Sequence, residues 1–476
     1  MKGAADLVRL SPPPSLWYAR LRMSEIPPYA LVLGGGGTKG AYQIGAWRAF
    51  RELGLTFNAV VGASVGALNA GLIAQDTYDL ALKMWNDIAL DDIVNLPADL
   101  LERKEKGDDH EGLPTFSELR GYLLKHHGLD AQPLHDLLQS HIDESKIRSS
   151  GIDLGITTYE LTNFRQVEVF LPDIPVGKLP DYLLASASFP AFRATEIEGR
   201  RFTDGGIIDN IPYRMVKNRG YRRIIVVDVS GLGLNRRPDI VGTQTVYLKN
   251  SIEMGGILDF DPDFISSFME LGYLDTLRVF GRLHGSLYFI DEGPHDAEIS
   301  RQLAKMLIDP DLLRDCSEYI VTESDIPLRS RDPEAAALQS IRATLPRDLR
   351  DYRDIIVPFA ECAALSLDIE RIKRYTLEEL IDQIRERAEE IEHGDLKAAA
   401  KINPRSILEL LKRKWSQVNH REGEGETIPY LYDRAFEEIS EKHFRAIYLG
   451  ALRRLYPALP PARIFLKLLT RYPRSR

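Results

Sequence analysis

Cysteine is scarce in this chain. Its 476 residues include only two cysteines, Cys316 and Cys362. Two thiols cannot build the disulfide framework of a small secreted domain, and they suit a reducing compartment. No His/Cys spacing and no cluster of carboxylates suggests a metal site, so we expect neither a metal nor another cofactor. A cytoplasmic protein is the expectation.

Long apolar runs are also missing. No stretch approaches the roughly 20 apolar residues that a membrane-spanning helix needs. The N-terminus lacks the continuous apolar core of a signal peptide, because Ser11-Pro12-Pro13-Pro14 interrupts it. We predict a flexible leader over residues 1–27, with Met23 as an alternative start, since an ordered pattern begins only at Tyr29.

Basic residues are fewer than acidic ones, 61 against 70, which gives a formal net charge of -9. This balance argues against general affinity for nucleic acid. A hydrophobic content of 44% allows a substantial core and excludes global disorder. The length allows two or three domains, or one large α/β domain with an extension. The oligomeric state is not predictable from these properties.

Strand and helix patterns alternate along the first part of the chain. Ala30–Leu33 and Ala59–Gly62 are typical of buried strands, and each precedes a helical pattern. Such alternation predicts an α/β fold with a mainly parallel sheet. We expect a first domain over residues 28–300. A mostly helical region should follow over 301–476, with a helix at Leu377–His393.

Two further elements are expected within the first domain. The apolar run Ile224–Val229 predicts another buried strand. Tyr182–Ser188 predicts a short helix that stops before Pro190.

A glycine-rich loop follows the first strand. Four consecutive glycines start at Gly34, and the pattern Gly35-x-Gly37-x-x-Gly40 fits a dinucleotide fingerprint. The second strand, however, lacks the acidic residue that would hold a ribose, and Lys39 is not followed by the Ser or Thr of a P-loop. A glycine turn that merely allows close packing is the plainer alternative. Bare N–H groups at a helix start also suit an oxyanion hole.

A second glycine-framed turn follows the second strand. Gly62-x-Ser64-x-Gly66 lies between a strand and a helix, which is the context of a nucleophilic serine on a sharp turn. Alone, this pattern is often a plain turn. Its occurrence close to the first glycine loop favours the nucleophile hypothesis.

A nucleophilic serine needs a base, and two candidates follow Ser64. His284 is the histidine we retain for a Ser-Asp-His triad, although no neighbouring residue marks it as catalytic. Asp204 ends a strand and precedes Gly205-Gly206, so its carboxylate should project from a turn. A lone Asp-Gly-Gly is usually only a turn. Within the same domain as Ser64, it is the better base.

Three blocks in this order resemble the signatures of the patatin-like phospholipase family. They are Gly35–Gly40, Gly62–Gly66 and Asp204–Gly206. The segments Ala185–Pro190 and Asp209–Pro212 resemble two further family motifs. The resemblance covers about residues 29–300 and leaves the helical C-terminal part unexplained.

The resemblance implies a three-layer α/β fold and a Ser-Asp dyad without histidine. It makes Ser64 the nucleophile, Asp204 the base, and the N–H groups of Gly35, Gly36 and Gly37 the oxyanion hole. Five glycines and one lysine would support these motifs. They are Lys39, Gly40, Gly62, Gly66, Gly205 and Gly206.

The implied activity is a phospholipase A-type lipid acyl hydrolase acting on a lipid or membrane-surface substrate. A thioesterase or acyltransferase on other acyl substrates remains an alternative. So does a partner-regulated effector whose helical extension controls the hydrolase.

The tail from Phe444 to the C-terminus contains several Arg and Lys but no acidic residue. Its apolar segment Ile464–Leu469 suggests peripheral contact of residues 444–476 with an anionic membrane. A terminal helix packed on the core is an equally good interpretation.

Overall fold

The computed structural model describes residues 27–95, 128–189, 192–231, 238–256, 259–320, 341–342, 345, 349, 351–393 and 459–473. These residues divide between two compact units, one ending at Gly281 and the other beginning at Arg282. The domain limits predicted from sequence stay a prediction. The predicted leader lies outside the described residues, except for its last position.

A mixed sheet organises the first unit. In the part that the structure describes, it has eight strands: β1 (Tyr29–Leu33), β2 (Phe57–Ala63), β3 (Asp153–Glu160), β4 (Arg165–Phe170), β5 (Thr195–Ile197), β6 (Arg200–Asp204), β7 (Arg223–Asp228) and β8 (Gln244–Lys249). The order is β5-β6-β3-β2-β1-β7-β8, and β4 pairs with β3. The pairings among β1, β2, β3, β7 and β8 are parallel. Those that involve β4, β5 and β6 are antiparallel.

Helices connect and cover these strands. They are α1 (Ala41–Glu52), α2 (Val65–Ala74), α3 (Tyr78–Asp87), α4 (Gln132–His141), α5 (Glu144–Ser149), α6 (Leu179–Ala187), α7 (Tyr213–Asn218) and α8 (Pro262–Val279). Helix α8 begins after Asp261, whose carboxylate accepts the N–H of Phe264. Helix α6 begins earlier than the predicted Tyr182, because Pro180 is well suited to a first helical turn.

Both faces of the sheet are buried, which makes the unit three layers deep. On β1, Ala30 and Val32 join a core that includes Met215 and Val216 of α7. The intervening Leu31 points to the opposite face, because side chains alternate along a strand, and it is buried as well. Burial on both faces explains why the central strands are continuous apolar runs.

The second unit is mostly helical. Its described helices are α9 (Asp296–Leu307), α10 (Pro310–Ile320), α11 (Arg353–Ser366), α12 (Leu377–His393) and α13 (Leu459–Arg471), and β9 (Phe289–Ile290) pairs with β10 (Arg374–Tyr375). Helix α12 confirms the predicted helix. Within this unit the carboxylate of Glu361, which is 1% exposed, accepts the N–H groups of Ser286, Leu287 and Tyr288. Both cysteines are free thiols.

Helix α13 includes the apolar segment of the basic tail. The side chains of Ile464, Phe465 and Leu468 are buried in the core of the second unit. This packing favours the alternative of a terminal helix folded onto the protein, because these apolar groups are not available to a membrane. Residues 444–458 and 474–476 of the tail lie outside the described residues.

The predicted fold class is confirmed: a mainly parallel α/β sheet is followed by a helical C-terminal region. Among the described residues, no helix combines the length and the apolar character that crossing a membrane requires.

Candidate active site

Ser64 stands on a strained turn between β2 and α2. Its backbone has φ 53° and ψ -132°, a conformation that residues other than glycine seldom adopt. The flanking glycines make the turn sterically possible. A Cβ on Gly62 would lie 2.2 Å from the carbonyl of Gly66, and one on Gly66 would lie 2.4 Å from the carbonyl oxygen of Leu33. The sequence pattern thus encodes a turn that exposes a serine hydroxyl.

Ser186 stabilises this turn through hydrogen bonds of its side chain. Its buried hydroxyl accepts the Ser64 N–H at 2.9 Å and donates to the Thr157 carbonyl at 2.7 Å. The hydroxyl therefore ties the serine turn to strand β3. Ser186 belongs to a segment singled out in the sequence, but only the structure reveals this contact.

The glycine loop after β1 is held in place through its first two glycines. The Gly34 N–H donates to the Val227 carbonyl at 3.0 Å, and the Gly35 N–H donates to the Asn210 carbonyl at 3.2 Å. The Asn210 side chain donates in turn to the Gly35 carbonyl at 3.0 Å. Gly35 could serve in the predicted oxyanion hole only if its N–H gave up this bond.

Gly36 and Gly37 differ from Gly35, because both line a cavity at the site. Within the part of the chain that the structure describes, no acceptor is present for either N–H. Gly37 has φ 59° and begins a short 3-10 helix that leads into α1. These N–H groups therefore lie where the partial positive charge of a helix start favours an anion.

Asp204 reaches the same site at the end of β6. The side chains of Asp204 and Ser64 line the same cavity, and the Gly206 N–H donates to the Asp204 carboxylate at 2.7 Å. Asp204 is only 5% exposed. The structure thus brings together the serine and the aspartate that the sequence nominated.

Burial dominates the electrostatics of Asp204. Loss of solvation disfavours the carboxylate and raises its pKa to about 6, although the nearby Ser64 hydroxyl and the Gly206 N–H oppose the shift. Near pH 7 this group is mostly ionised and has a much higher proton affinity than an ordinary aspartate. That combination is what a general base requires.

A cavity of about 400 Å³ opens at the two side chains. Its polar end is formed by Gly36, Gly37, Ser64, Asp204 and Asn210. The rest is mostly apolar and comes from several helices and loops. The apolar lining residues are Val65, Leu68, Leu72, Met84, Trp85, Ile88, Ile93, Leu134, Leu137, Leu138, Ile142, Ala187, Phe189, Phe192 and Phe260.

A buried polar network fixes the glycine loop against α2 and α3. Gln43 donates to the Gly34 carbonyl at 2.6 Å, and Asn69 donates to the Gly40 carbonyl at 3.0 Å and to Gln43 at 2.8 Å. The Trp85 indole donates to Asn69 at 3.0 Å. Sequence reasoning missed these residues. The signal that could have identified them is a polar residue inside an otherwise apolar helical pattern.

Among the residues that the structure describes, one histidine lines the cavity, and it is not the one retained from the sequence. His141 is a lining residue, and its Nδ1 lies 2.9 Å from the Leu137 carbonyl. His284 lies in the second unit, is not a lining residue and exchanges backbone hydrogen bonds with Ile290.

The remaining motif residues act mainly through close packing. A Cβ on Gly40 would lie 2.5 Å from the Val65 side chain, and one on Gly205 would lie 2.6 Å from the Thr157 carbonyl oxygen. Lys39 is half-buried and does not line the cavity. In the described ranges, no group of three or more His, Cys, Asp or Glu is placed to hold a metal ion.

The family model described as patatin-like phospholipase matches residues 31–217. A patatin-like phospholipase domain-containing protein of Caenorhabditis elegans is 28% identical over 206 residues, which cover 42% of this chain and 14% of that protein. A lysophospholipase of Mycosarcoma maydis is 26% identical over 208 residues, which cover 42% of this chain and 10% of that protein. The matches therefore span only a small part of these relatives.

Two solved structures are similar over most of the chain, but at low scores. VipD from Legionella pneumophila has a TM-score of 0.31 and 15% identity, with 93% of this chain and 90% of that chain covered. ExoU in its complex with SpcU from Pseudomonas aeruginosa has a TM-score of 0.27 and 17% identity, with 90% and 89% covered. Scores this low carry no argument about this chain. The family match rests on the sequence, and by that match residues 31–217 of this chain belong to the patatin-like phospholipase family.

Proposed function

We propose that this protein hydrolyses fatty-acyl esters of lipids, with Ser64 as nucleophile and Asp204 as general base. The observation that carries the proposal is that the Ser64 and Asp204 side chains lie together with Gly36 and Gly37 in the lining of one mostly apolar cavity. The family match of residues 31–217 supports a lipid ester as the substrate class.

In the first step, the Ser64 oxygen attacks the acyl carbonyl carbon while Asp204 takes the hydroxyl proton. The carbonyl oxygen becomes an oxyanion, which the N–H groups of Gly36 and Gly37 bind. Collapse of this intermediate breaks the bond to the alcohol portion of the lipid. Asp204 returns the proton to that leaving oxygen, and the acyl group remains on Ser64.

In the second step, water attacks the acyl-enzyme. Asp204 removes a proton from the water, and the same two N–H groups bind the second oxyanion. Collapse of this intermediate breaks the bond between the acyl carbon and the Ser64 oxygen, Asp204 returns the proton to that oxygen, and the fatty acid leaves. One carboxylate therefore serves both steps, and a raised pKa suits it to accept and return protons near neutral pH.

The apolar lining of the cavity supports a hydrocarbon acyl group over a polar one. Leucine, isoleucine and phenylalanine side chains surround the path from Ser64, and each methylene buried there contributes about 0.8 kcal/mol. A polar acyl group would lose its hydration without matching hydrogen bonds.

The test is product analysis on phospholipid vesicles with the full chain. The wild type should release free fatty acid and lysophospholipid, and Ser64→Ala should lower the rate by at least about 10³-fold. Ser149→Ala, on the exposed surface of α5, is the matched control and should match the wild type.

Parallel assays on triacylglycerol and on an acyl-thioester separate a phospholipase from the alternative acyl hydrolases. Equal fatty-acid release by wild type and Ser64→Ala would overturn the proposal.

A further inference from the structure

The cavity runs along helix α2, away from Ser64. The helix begins immediately after Ser64, and Leu68 and Leu72 follow on the lining face at intervals of four residues. A helix rises about 1.5 Å per residue, so Leu68 lies roughly 6 Å and Leu72 roughly 12 Å beyond Ser64 along the axis.

Helix α4 forms another wall, with Leu134, Leu137 and Leu138 among the lining residues. Just before it, Leu129 pairs with Phe192, which lines the cavity, and Ser188 near that segment accepts the Asp204 N–H. The segment that leads into α4 therefore lies beside Phe192 in the cavity lining.

The far ends of the two helices are joined through Gln75. Its side chain donates to the His141 carbonyl at 3.1 Å and accepts the Asp143 N–H at 2.7 Å. His141 and Ile142, at the C-terminal end of α4, also line the cavity. The lining path thus extends from Ser64 to the level of Leu72 and His141.

The volume indicates what this path can hold. About 400 Å³ lies near the small end of the usual range for ligand cavities. Such a space suits one hydrocarbon chain and leaves the rest of a two-chain lipid outside. A fully extended chain advances about 1.2 Å per bond, from the span of an extended polypeptide, so roughly ten carbons reach the level of Leu72.

We propose that the cavity is a length-limited acyl-chain site in which Leu72 sets the limit near ten carbons. This inference rests on the proposed function, because it assigns one end of the chain to Ser64. Shorter chains bind along α2, and each added methylene gains apolar contact. Longer chains must bend or leave the cavity, and they gain no further contact beyond Leu72.

The experiment measures kcat/KM for 4-nitrophenyl esters with acyl chains of 4, 8, 10, 12 and 16 carbons. For the wild type, kcat/KM should rise by up to about fourfold per methylene and stop rising near ten carbons. A rise that continues unchanged to 16 carbons would overturn the limit.

Substitutions of Leu72 and Leu68, which lie at different distances from Ser64, test whether α2 forms the wall that limits the acyl chain length. Leu72→Phe should shift the limit by a few carbons towards shorter chains, and Leu68→Phe should shift it further, because Leu68 lies nearer to Ser64. Leu72→Ala should shift it towards longer chains. Leu80→Phe on α3 is the matched control, since Leu80 is half-buried but does not line the cavity. An unchanged profile in all three α2 variants would overturn the role of Leu72.

A binding measurement distinguishes failure of this inference from failure of the proposed function. Fatty acids of the same lengths are added to Ser64→Ala protein, and the shift in the thermal unfolding midpoint is measured. A stabilisation that levels off near ten carbons supports the site even if no ester is hydrolysed. Ester hydrolysis with no dependence on chain length would leave the proposed function standing and overturn the inference. The unfolding midpoint of each variant also reports whether it has folded.

Discussion

Asp204 of β6 pairs with Thr158 of β3. The preceding residue of β3, Thr157, pairs with Ala63, the last residue of β2. Strand β4 occupies the other edge of β3 at this point, so β6 and β2 meet end to end along one edge. The register of a single strand therefore brings Ser64, just after β2, to the carboxylate of Asp204.

The dyad and triad hypotheses differ in which variants lose activity. Asp204→Asn should lower kcat by at least about 10³-fold, because the substituted amide cannot take the Ser64 proton. His284→Ala should leave kcat unchanged. His141→Leu should change kcat by less than about tenfold. The assay is hydrolysis of a 4-nitrophenyl ester, with Asp263→Asn on the exposed start of α8 as a control. A loss with His141→Leu as large as that with Asp204→Asn would contradict the dyad.

The pH dependence of kcat/KM should follow the ionisation of Asp204. The base acts only when deprotonated, and burial raises its pKa to about 6. We therefore expect kcat/KM to fall about tenfold per pH unit below pH 6 and to be flat from about pH 7 upwards. The measurement is the initial rate of ester hydrolysis at low substrate concentration. A midpoint near pH 4 would contradict burial of the base.

The same raised pKa should make Asp204 destabilising at neutral pH. Because its folded pKa lies above the ordinary aspartate value of 3.8, the folded state favours the protonated carboxyl. The associated stability is fully present below about pH 4 and is lost as the pH rises through 6. Asp204→Asn should raise the free energy of unfolding by up to about 3 kcal/mol at pH 8. Denaturant unfolding at pH 4 and 8 checks this, and an equal difference at both values would contradict it.

The turn around Ser64 should tolerate no side chain at Gly66. Gly66→Ala would place a Cβ 2.4 Å from the Leu33 carbonyl oxygen, so the strand or the helix must move. We expect a loss of several kcal/mol in the free energy of unfolding. Gly71→Ala, on the same helix, is the matched control, because its Cβ would lie 3.4 Å from the Ile142 and Leu183 side chains. Equal thermal midpoints for the two variants would contradict this account.

Ser186 should act on the rate through the position of Ser64. Ser186→Ala removes the acceptor of the Ser64 N–H and the donor to Thr157, so kcat should fall more than KM rises. Ser188→Ala is the matched control, since the Ser188 hydroxyl bonds the Leu184 carbonyl and the Thr195 hydroxyl instead. Both variants should lose about 1–3 kcal/mol of stability. Similar kcat values in the two variants would assign Ser186 a purely structural role.

Periodicity predicted the elements that form the frame of the site. The predicted strand at Ala30–Leu33 corresponds to β1, and the helical pattern predicted after Ala59–Gly62 corresponds to α2. These predictions succeed because the strands are buried on both faces and the turns need glycine. Both requirements are local and visible in the residue types.

Local patterns could not predict which N–H groups are already engaged. Gly34, Gly35, Gly36 and Gly37 are equivalent in sequence, yet Asn210 accepts the N–H of Gly35 while Gly36 and Gly37 face the cavity. The difference arises from a loop far along the chain. For the same reason, local patterns did not predict that Trp85 of α3 and His141 of α4 line the cavity.

The amino-acid sequence alone was enough to predict the α/β fold class and to nominate Ser64 and Asp204. Glycine requirements and apolar periodicity are properties of short segments. Tertiary structure decided three properties: the position of Asp204 next to the end of β2, the raised pKa of its carboxylate, and the course of the apolar cavity along α2. These three properties depend on burial and register between distant segments, which no short segment specifies.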